Sequence, residues 1–199
     1  MHDVPVDTDW LRSTGLPPAP GLLLLATPIL DEPPFHRTVV YLLEHAHDSG
    51  SLGVVINRPT SDAVEKALPP WRDVISHPAV LFEGGPVQQD GALCLGATEE
   101  DAQSAGVRPL HDGVASIDLD GDPHDVIGVA SALRVFVGYA GWSPGQLDDE
   151  LAQGAWWVVP GSRADVFSER PESLWASVLR RQPPPLAFAS TYPDDPARN

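Results

Sequence analysis

The chain has one cysteine, few basic residues and no long apolar run. A lone thiol excludes an internal disulfide framework. Cys94 stands in the apolar run Ala92-Leu93-Cys94-Leu95 with no cationic neighbour, so it reads as a small buried hydrophobe and not as a redox thiol. Lysine and arginine number 12 against 28 aspartates and glutamates, a formal charge of -16. That balance repels a phosphate backbone. Arg180-Arg181 is the only adjacent basic pair and no helix-turn-helix signature is evident, so direct nucleic-acid binding is not expected. Apolar runs such as Leu22 to Ala26 are far too short to span a bilayer. The opening Met1-His2-Asp3-Val4-Pro5 has neither the basic nor the apolar part of a signal peptide. These absences predict a cytosolic protein with no membrane partner. Internal repeats and coiled-coil heptads are also missing.

What is present suits one domain: 199 residues, 42% hydrophobic, 21.3 kDa. Residues 1–20 are proline-rich and acidic and read as a flexible lead-in. Residues 21–182 read as the single domain, and 183–199 as a proline-rich tail. Within the domain, Leu22 to Ala26 and Thr38 to Leu43 read as buried strands. Leu52 to Ile56 is a matching run, and the short loop before it predicts an antiparallel hairpin with Thr38 to Leu43. Thr60 or Ser61 is expected to cap a short helix through Leu68. Further strands are expected at 79–82, 93–95, 114–119, 134–139 and 155–159, with 93–95 beside 79–82. Helices are expected at 123–131 and from Pro171 to Arg181. Early strands and few, late helices predict an α+β fold around a mostly antiparallel, twisted or barrel-like sheet with flanking helices.

The densest signal is Gly138-Tyr-Ala-Gly-Trp-Ser-Pro-Gly-Gln-Leu147. Ser143 suits a helix N-cap, Pro144 the first helical position, and Gln146 completes a Ser-x-x-Gln capping box. Trp142 and Leu147 stand where a hydrophobic staple would hold the turn. Asp148, Asp149 and Glu150 put negative charge at the positive helix end. Ser143 is therefore first a cap, and no G-x-S-x-G elbow surrounds it.

Other candidate chemistry is weighed against plainer roles. His45 and His47, two apart beside Glu44 and Asp48, would share a face of an extended segment. No third ligand follows at diagnostic spacing and there is no His-Glu-x-x-His, so no metal site is assigned. Asn57 reads as an Asx-type turn, and Arg58 as an ion pair with Glu44 or Glu83, or as a bidentate anion binder. Gly84-Gly85 reads as a tight turn whose amides could form an anion nest. Neither a G-x-x-x-x-G-K-[ST] nor a G-x-G-x-x-G pattern is present, so no nucleotide and no other cofactor is expected. Asp118, Asp120 and Asp122 alternate around Gly121, but the glutamate of a calcium loop is missing.

Four blocks in order resemble the YqgE/AlgH family of bacterial proteins. They are Gly21-Leu-Leu-Leu-Leu-Ala-Thr-Pro28 with Phe35 and Thr38 to His45; Gly53-Val-Val-Ile-Asn-Arg-Pro59; Glu83-Gly-Gly-Pro-Val87; and Gly138 to Leu147 with Glu150-Leu151 and Trp156. The resemblance implies a cytosolic protein with a barrel-like sheet and flanking helices. It transfers no catalytic residue, because the family has no established reaction; one branch is named as an alginate regulatory protein. One departure is visible. Many relatives carry a histidine after the strand following Gly-Gly-Pro, where this chain has Leu95-Gly96.

Two functional readings follow. The favoured one is a binding or regulatory module that holds a small ligand or a protein partner where His45, Asn57, Arg58, Gly84, Gly85, Ser143 and Gln146 would converge. The alternative is a small hydrolase or transferase with His45 as base, Ser143 or a water as nucleophile, and the Gly84-Gly85 amides as an oxyanion site. With no recognised catalytic motif, the sequence leans away from an enzyme.

Overall fold

The computed structural model describes residues 15–30, 34–99, 102 and 104–192. The expected lead-in therefore lies mostly outside the described residues, as does the end of the tail. Among the described residues, ten strands form one curled sheet: β1 (Leu23–Ala26), β2 (Val39–Ala46), β3 (Gly50–Val55), β4 (Pro59–Ala63), β5 (Val80–Glu83), β6 (Val87–Thr98), β7 (Val107–Pro109), β8 (Val114–Ile117), β9 (Ala130–Trp142) and β10 (Trp156–Val159). The main order is β10-β1-β2-β3-β9-β6-β8-β7, and β4 pairs with β5, which runs parallel to β9. Every other pairing is antiparallel. Among the described residues, five short helices flank the sheet: α1 (Val64–Ala67), α2 (Gln146–Ala152), α3 (Arg163–Val166), α4 (Leu174–Arg180) and α5 (Leu186–Ala189). The α+β class and the curled, mostly antiparallel sheet are as the sequence predicts.

Strand β1 shows why the sheet is covered on both sides. Its side chains alternate faces, and all four are fully buried. Leu23 and Leu25 enter the inner core with Tyr41, Phe136, Trp157 and the α4 residues Trp175, Val178 and Leu179. Leu24 and Ala26 enter a second core with Val40, Trp142, Trp156 and Leu147 of α2. Polar bonds pin the helices to this frame. The Trp175 indole N–H donates to the Ala26 carbonyl at 2.9 Å. Asp165, buried in α3, accepts from the Ser162 N–H at 2.9 Å and takes Arg181 through both guanidinium nitrogens. Arg134, buried on β9, donates to the carbonyls of Val166, Ser168 and His77 and lies 4.3 Å from the Phe82 ring centre. Burial lowers its pKa to about 10.

Three local expectations are corrected. Residues 123–131 are not a helix: a single 3₁₀ turn, Pro123–Asp125, is capped by Asp122, and β9 begins at Ala130. Pro59–Ala63 is a strand, so the following helix starts at Val64. Strands β5 and β6 are not neighbours, because each pairs with β9 instead.

The centre of the molecule is the long strand β9, thirteen residues that pair with β6 and then, near their C-terminal end, with β3. Gly138 bends it in a left-handed conformation, φ 68°. The Glu83-Gly-Gly-Pro segment crosses this bend at backbone contact. A Cβ on Gly84 would lie 2.3 Å from the Gly138 carbonyl oxygen, and one on Gly85 2.2 Å from Tyr139 C. Two blocks far apart in sequence are thus one close crossing, which only glycine permits.

Candidate functional site

The β2–β3 hairpin and the end of β9 set up the site. Registry places His45 opposite Ser51, and Ser51 opposite Trp142 of β9. His45 Nδ1 and Ser51 Oγ share a hydrogen bond at 2.8 Å, so the half-buried imidazole is held by its cross-strand neighbour. A cleft of about 500 Å³ opens here, and its walls include Glu44, His45, Ser49, Ser51, Tyr139 and Ser143.

A second chamber of about 330 Å³ shares Glu44, Leu52 and Tyr139 with the first. Its walls are mainly apolar: Leu43, Leu93, Leu95 and Leu110 extend the inner core outward, and Arg108 on β7 stands at its side. The bend in β6 supplies the lip, where Gln88 adopts φ 49° inside the register break between Val87 and Ala92. A bulky residue in that region is uncommon and carries a cost of about 1 kcal/mol. The two chambers adjoin at these shared residues, and the second is the more apolar.

The residues singled out from sequence do not all gather here. His45 and Ser143 both line the mouth. The Ser143 N–H donates to Gln146 Oε1 at 3.0 Å, and Gln146 Nε2 donates to Glu150 at 3.0 Å. Gln146 therefore serves the start of α2, which begins two residues later than expected because Gly145 takes φ 75°. Asn57 bridges distant backbone and not its own turn: its Oδ1 accepts from the Val39 N–H and its Nδ2 donates to the Arg37 carbonyl, both at 2.9 Å. Arg58 donates to Thr38 Oγ1 at 2.8 Å and to the His36 carbonyl at 3.2 Å. Burial lowers its pKa while Glu83 opposes that through space. Gly84 donates its N–H to Val137 O and accepts at its carbonyl from Val55 N–H, both 2.8 Å. Its amide is therefore committed to the sheet and does not form an anion nest. Neither Asn57, Arg58, Gly84 nor Gly85 lines the cleft.

Ser51, Glu44, Tyr139 and Arg108 line the cleft without being candidate site residues in the sequence. Ser51 and Glu44 follow from hairpin registry. Tyr139 sits inside the Gly138 block. Arg108 has no local signal, because the curl of the sheet brings it in. His47 has a different partner from His45: its Nδ1 donates to Asp148 Oδ2 at 2.8 Å. Among the described residues no group of three His, Cys, Asp or Glu side chains gathers as for a metal. The acidic turn is self-satisfied: Asp118 Oδ1 accepts from the Asp120 N–H and Asp122 Oδ1 from the His124 N–H. No described helix is long and apolar enough to cross a membrane.

Comparison with known proteins places this architecture. A family model described as AlgH-like matches residues 23–187. A UPF0301 protein of Rhodococcus jostii is 46% identical over 96% of each chain. Among solved structures, a Corynebacterium diphtheriae protein superimposes with a TM-score of 0.86 at 31% identity, over 94% of this chain and 99% of its own. The solution structure of the AlgH protein from Pseudomonas aeruginosa aligns with a TM-score of 0.58 at 31% identity, over 80% of this chain and 87% of its own.

Proposed function

The chain belongs to the AlgH-like family, and from that premise we propose that it is a binding module of regulatory type that takes a small ligand in the cleft around Glu44, His45 and Tyr139. It acts in the cytosol, as the resemblance implies. The observation that carries the reading is that two adjoining chambers share Glu44, Leu52 and Tyr139 as walls. An apolar interior that opens onto a few fixed polar groups is the usual make-up of a small-molecule site. His45 is held through Nδ1, which leaves Nε2 for a ligand. The strained Gln88 at the lip fits a surface shaped for binding.

The test is a fragment screen read by amide NMR on the full chain. Ligands should move the resonances of His45, Leu52 and Tyr139 together, and His45→Ala should weaken those that reach the mouth. Hits that cluster elsewhere, or none, would overturn the reading.

One observation favours the alternative of a hydrolase or transferase: His45 is hydrogen-bonded to a serine hydroxyl. That serine is Ser51, not Ser143, and the Gly84 amide is not free to stabilise an oxyanion. A fluorophosphonate probe should leave both serines unlabelled; stoichiometric labelling of Ser51 would favour the enzyme.

A further inference from the structure

The apolar chamber carries two charged side chains of opposite sign, Glu44 on β2 and Arg108 on β7. Neither side chain forms a hydrogen bond or ion pair with another described residue. An acid and a base on the wall of one apolar chamber suit a ligand that answers both.

Charge narrows the class. A simple anion would meet Arg108 but also Glu44 and the field of a -16 chain. A simple cation would meet Glu44 but be opposed by Arg108. A neutral zwitterion satisfies both without net repulsion. The leucine walls call for an apolar body, and about 330 Å³ is the scale of a small-ligand pocket.

Resting on the reading of the cleft given above, we propose that its ligand is a zwitterion with an apolar body, the chemistry of a free apolar amino acid or a short apolar peptide with both ends charged. Its carboxylate is bound by Arg108, its ammonium by Glu44, and its side chains lie against Leu52, Leu93 and Leu95.

The experiment is a calorimetric and amide-NMR titration of the full chain with L-leucine, dileucine and trileucine, each also in its N-acetylated and C-amidated form. One length should saturate the resonances of Glu44, Leu52 and Tyr139, which separates the amino acid from the peptide. Blocking either end of that ligand should weaken binding roughly tenfold, the loss of one charge-assisted contact. Arg108→Gln should abolish the discrimination against the amide, and Glu44→Gln that against the acetyl form; both side chains are exposed, so folding is not at stake. Blocked forms that bind as well as the free ligand would overturn the zwitterion. If none of these probes moves the cleft while screening fragments do, the ligand class falls and the binding site stands. If neither moves it, both fall.

Discussion

Glu150 accepts the indole N–H of Trp156 at 2.7 Å. The same oxygen, Oε2, accepts the Trp142 indole at 2.9 Å, and Oε1 takes Gln146 at 3.0 Å. The two rings meet edge to face with centroids 6.0 Å apart. One carboxylate thus joins the end of β9, helix α2 and strand β10, and Trp142 also borders the cleft.

Glu150→Ala should therefore be a stability variant with a local functional echo. Trp142 and Trp156 are 7% and 3% exposed, so removing the acceptor strands two buried indole N–H groups. The expected loss is about 3 kcal/mol, since an unmet buried donor costs about 1–3 kcal/mol. Glu150→Gln keeps one acceptor oxygen and should lose about half of that. Urea unfolding followed by tryptophan fluorescence reads both. An alanine variant as stable as the parent would show that water replaces the carboxylate.

The pattern around these residues was legible because it is local. Ser143 and Gln146 hydrogen-bond at the spacing of the expected capping box, but Gly145 and not Ser143 is the N-cap, with no side-chain cap bond; β1 and the β2–β3 hairpin announce themselves as short apolar runs. The length of β9 is hidden for a specific reason: Gly138 and Gly141 read as a strand end, whereas Gly138 is a bend inside a strand running on to Trp142. The site was half legible. His45 and Ser143 are polar side chains at a hairpin end and a turn, and both line the cleft. Asn57 and Arg58 resemble site residues equally well, yet their hydrogen bonds go to backbone and Thr38 some twenty residues away. Arg108 could not be found locally, because only the closure of β6, β8 and β7 carries it to the chamber.

The crossing of the Gly-Gly-Pro segment over β9 makes a sharp prediction. In Gly85→Ala the new methyl would lie 2.2–2.4 Å from backbone atoms of Tyr139 and Ala140, at φ 150°. Backbone cannot yield as a side chain end can, so the loss should be at least about 3 kcal/mol. Gly91→Ala meets only the Gln88 carbonyl at 3.4 Å and should stay within about 0.5 kcal/mol of the parent. Equal thermal midpoints for the two variants would refute the crossing.

Cys94 should be chemically silent until the chain unfolds. It is 1% exposed, and burial pushes its thiol up to about 12, so almost no thiolate exists near neutral pH. A colourless-to-yellow disulfide reagent should react at least about a hundredfold faster in urea than in buffer. Linkage follows in sign: the unfolded thiol ionises near 9.0 and the folded one near 12. The folded state thus holds the proton longer, and the group's contribution to stability falls as pH rises through that window. Rapid reaction in buffer would mean that β6 opens locally.

His47 supplies the pH-dependent contact. Its pKa is raised, first by the hydrogen bond from Nδ1 to Asp148 and then by the charges of Asp148 and Asp48. The folded value lies above the unfolded one, so the stabilisation is fully present below the ordinary histidine pKa of 6.5. It fades as pH rises through the raised folded value. Because the ring is exposed, salt should weaken the contact. Proton NMR of the imidazole Cε1–H should give a His47 midpoint above 6.5 that falls in Asp148→Asn and in 1 M salt. The contact ties the β2–β3 turn to α2 two residues from His45, so Asp148→Asn should also loosen the cleft mouth, read as faster amide exchange at Ser49 and Gly50. A His47 midpoint indifferent to Asp148→Asn would remove the contact from solution and, with it, the coupling of the turn to the helix.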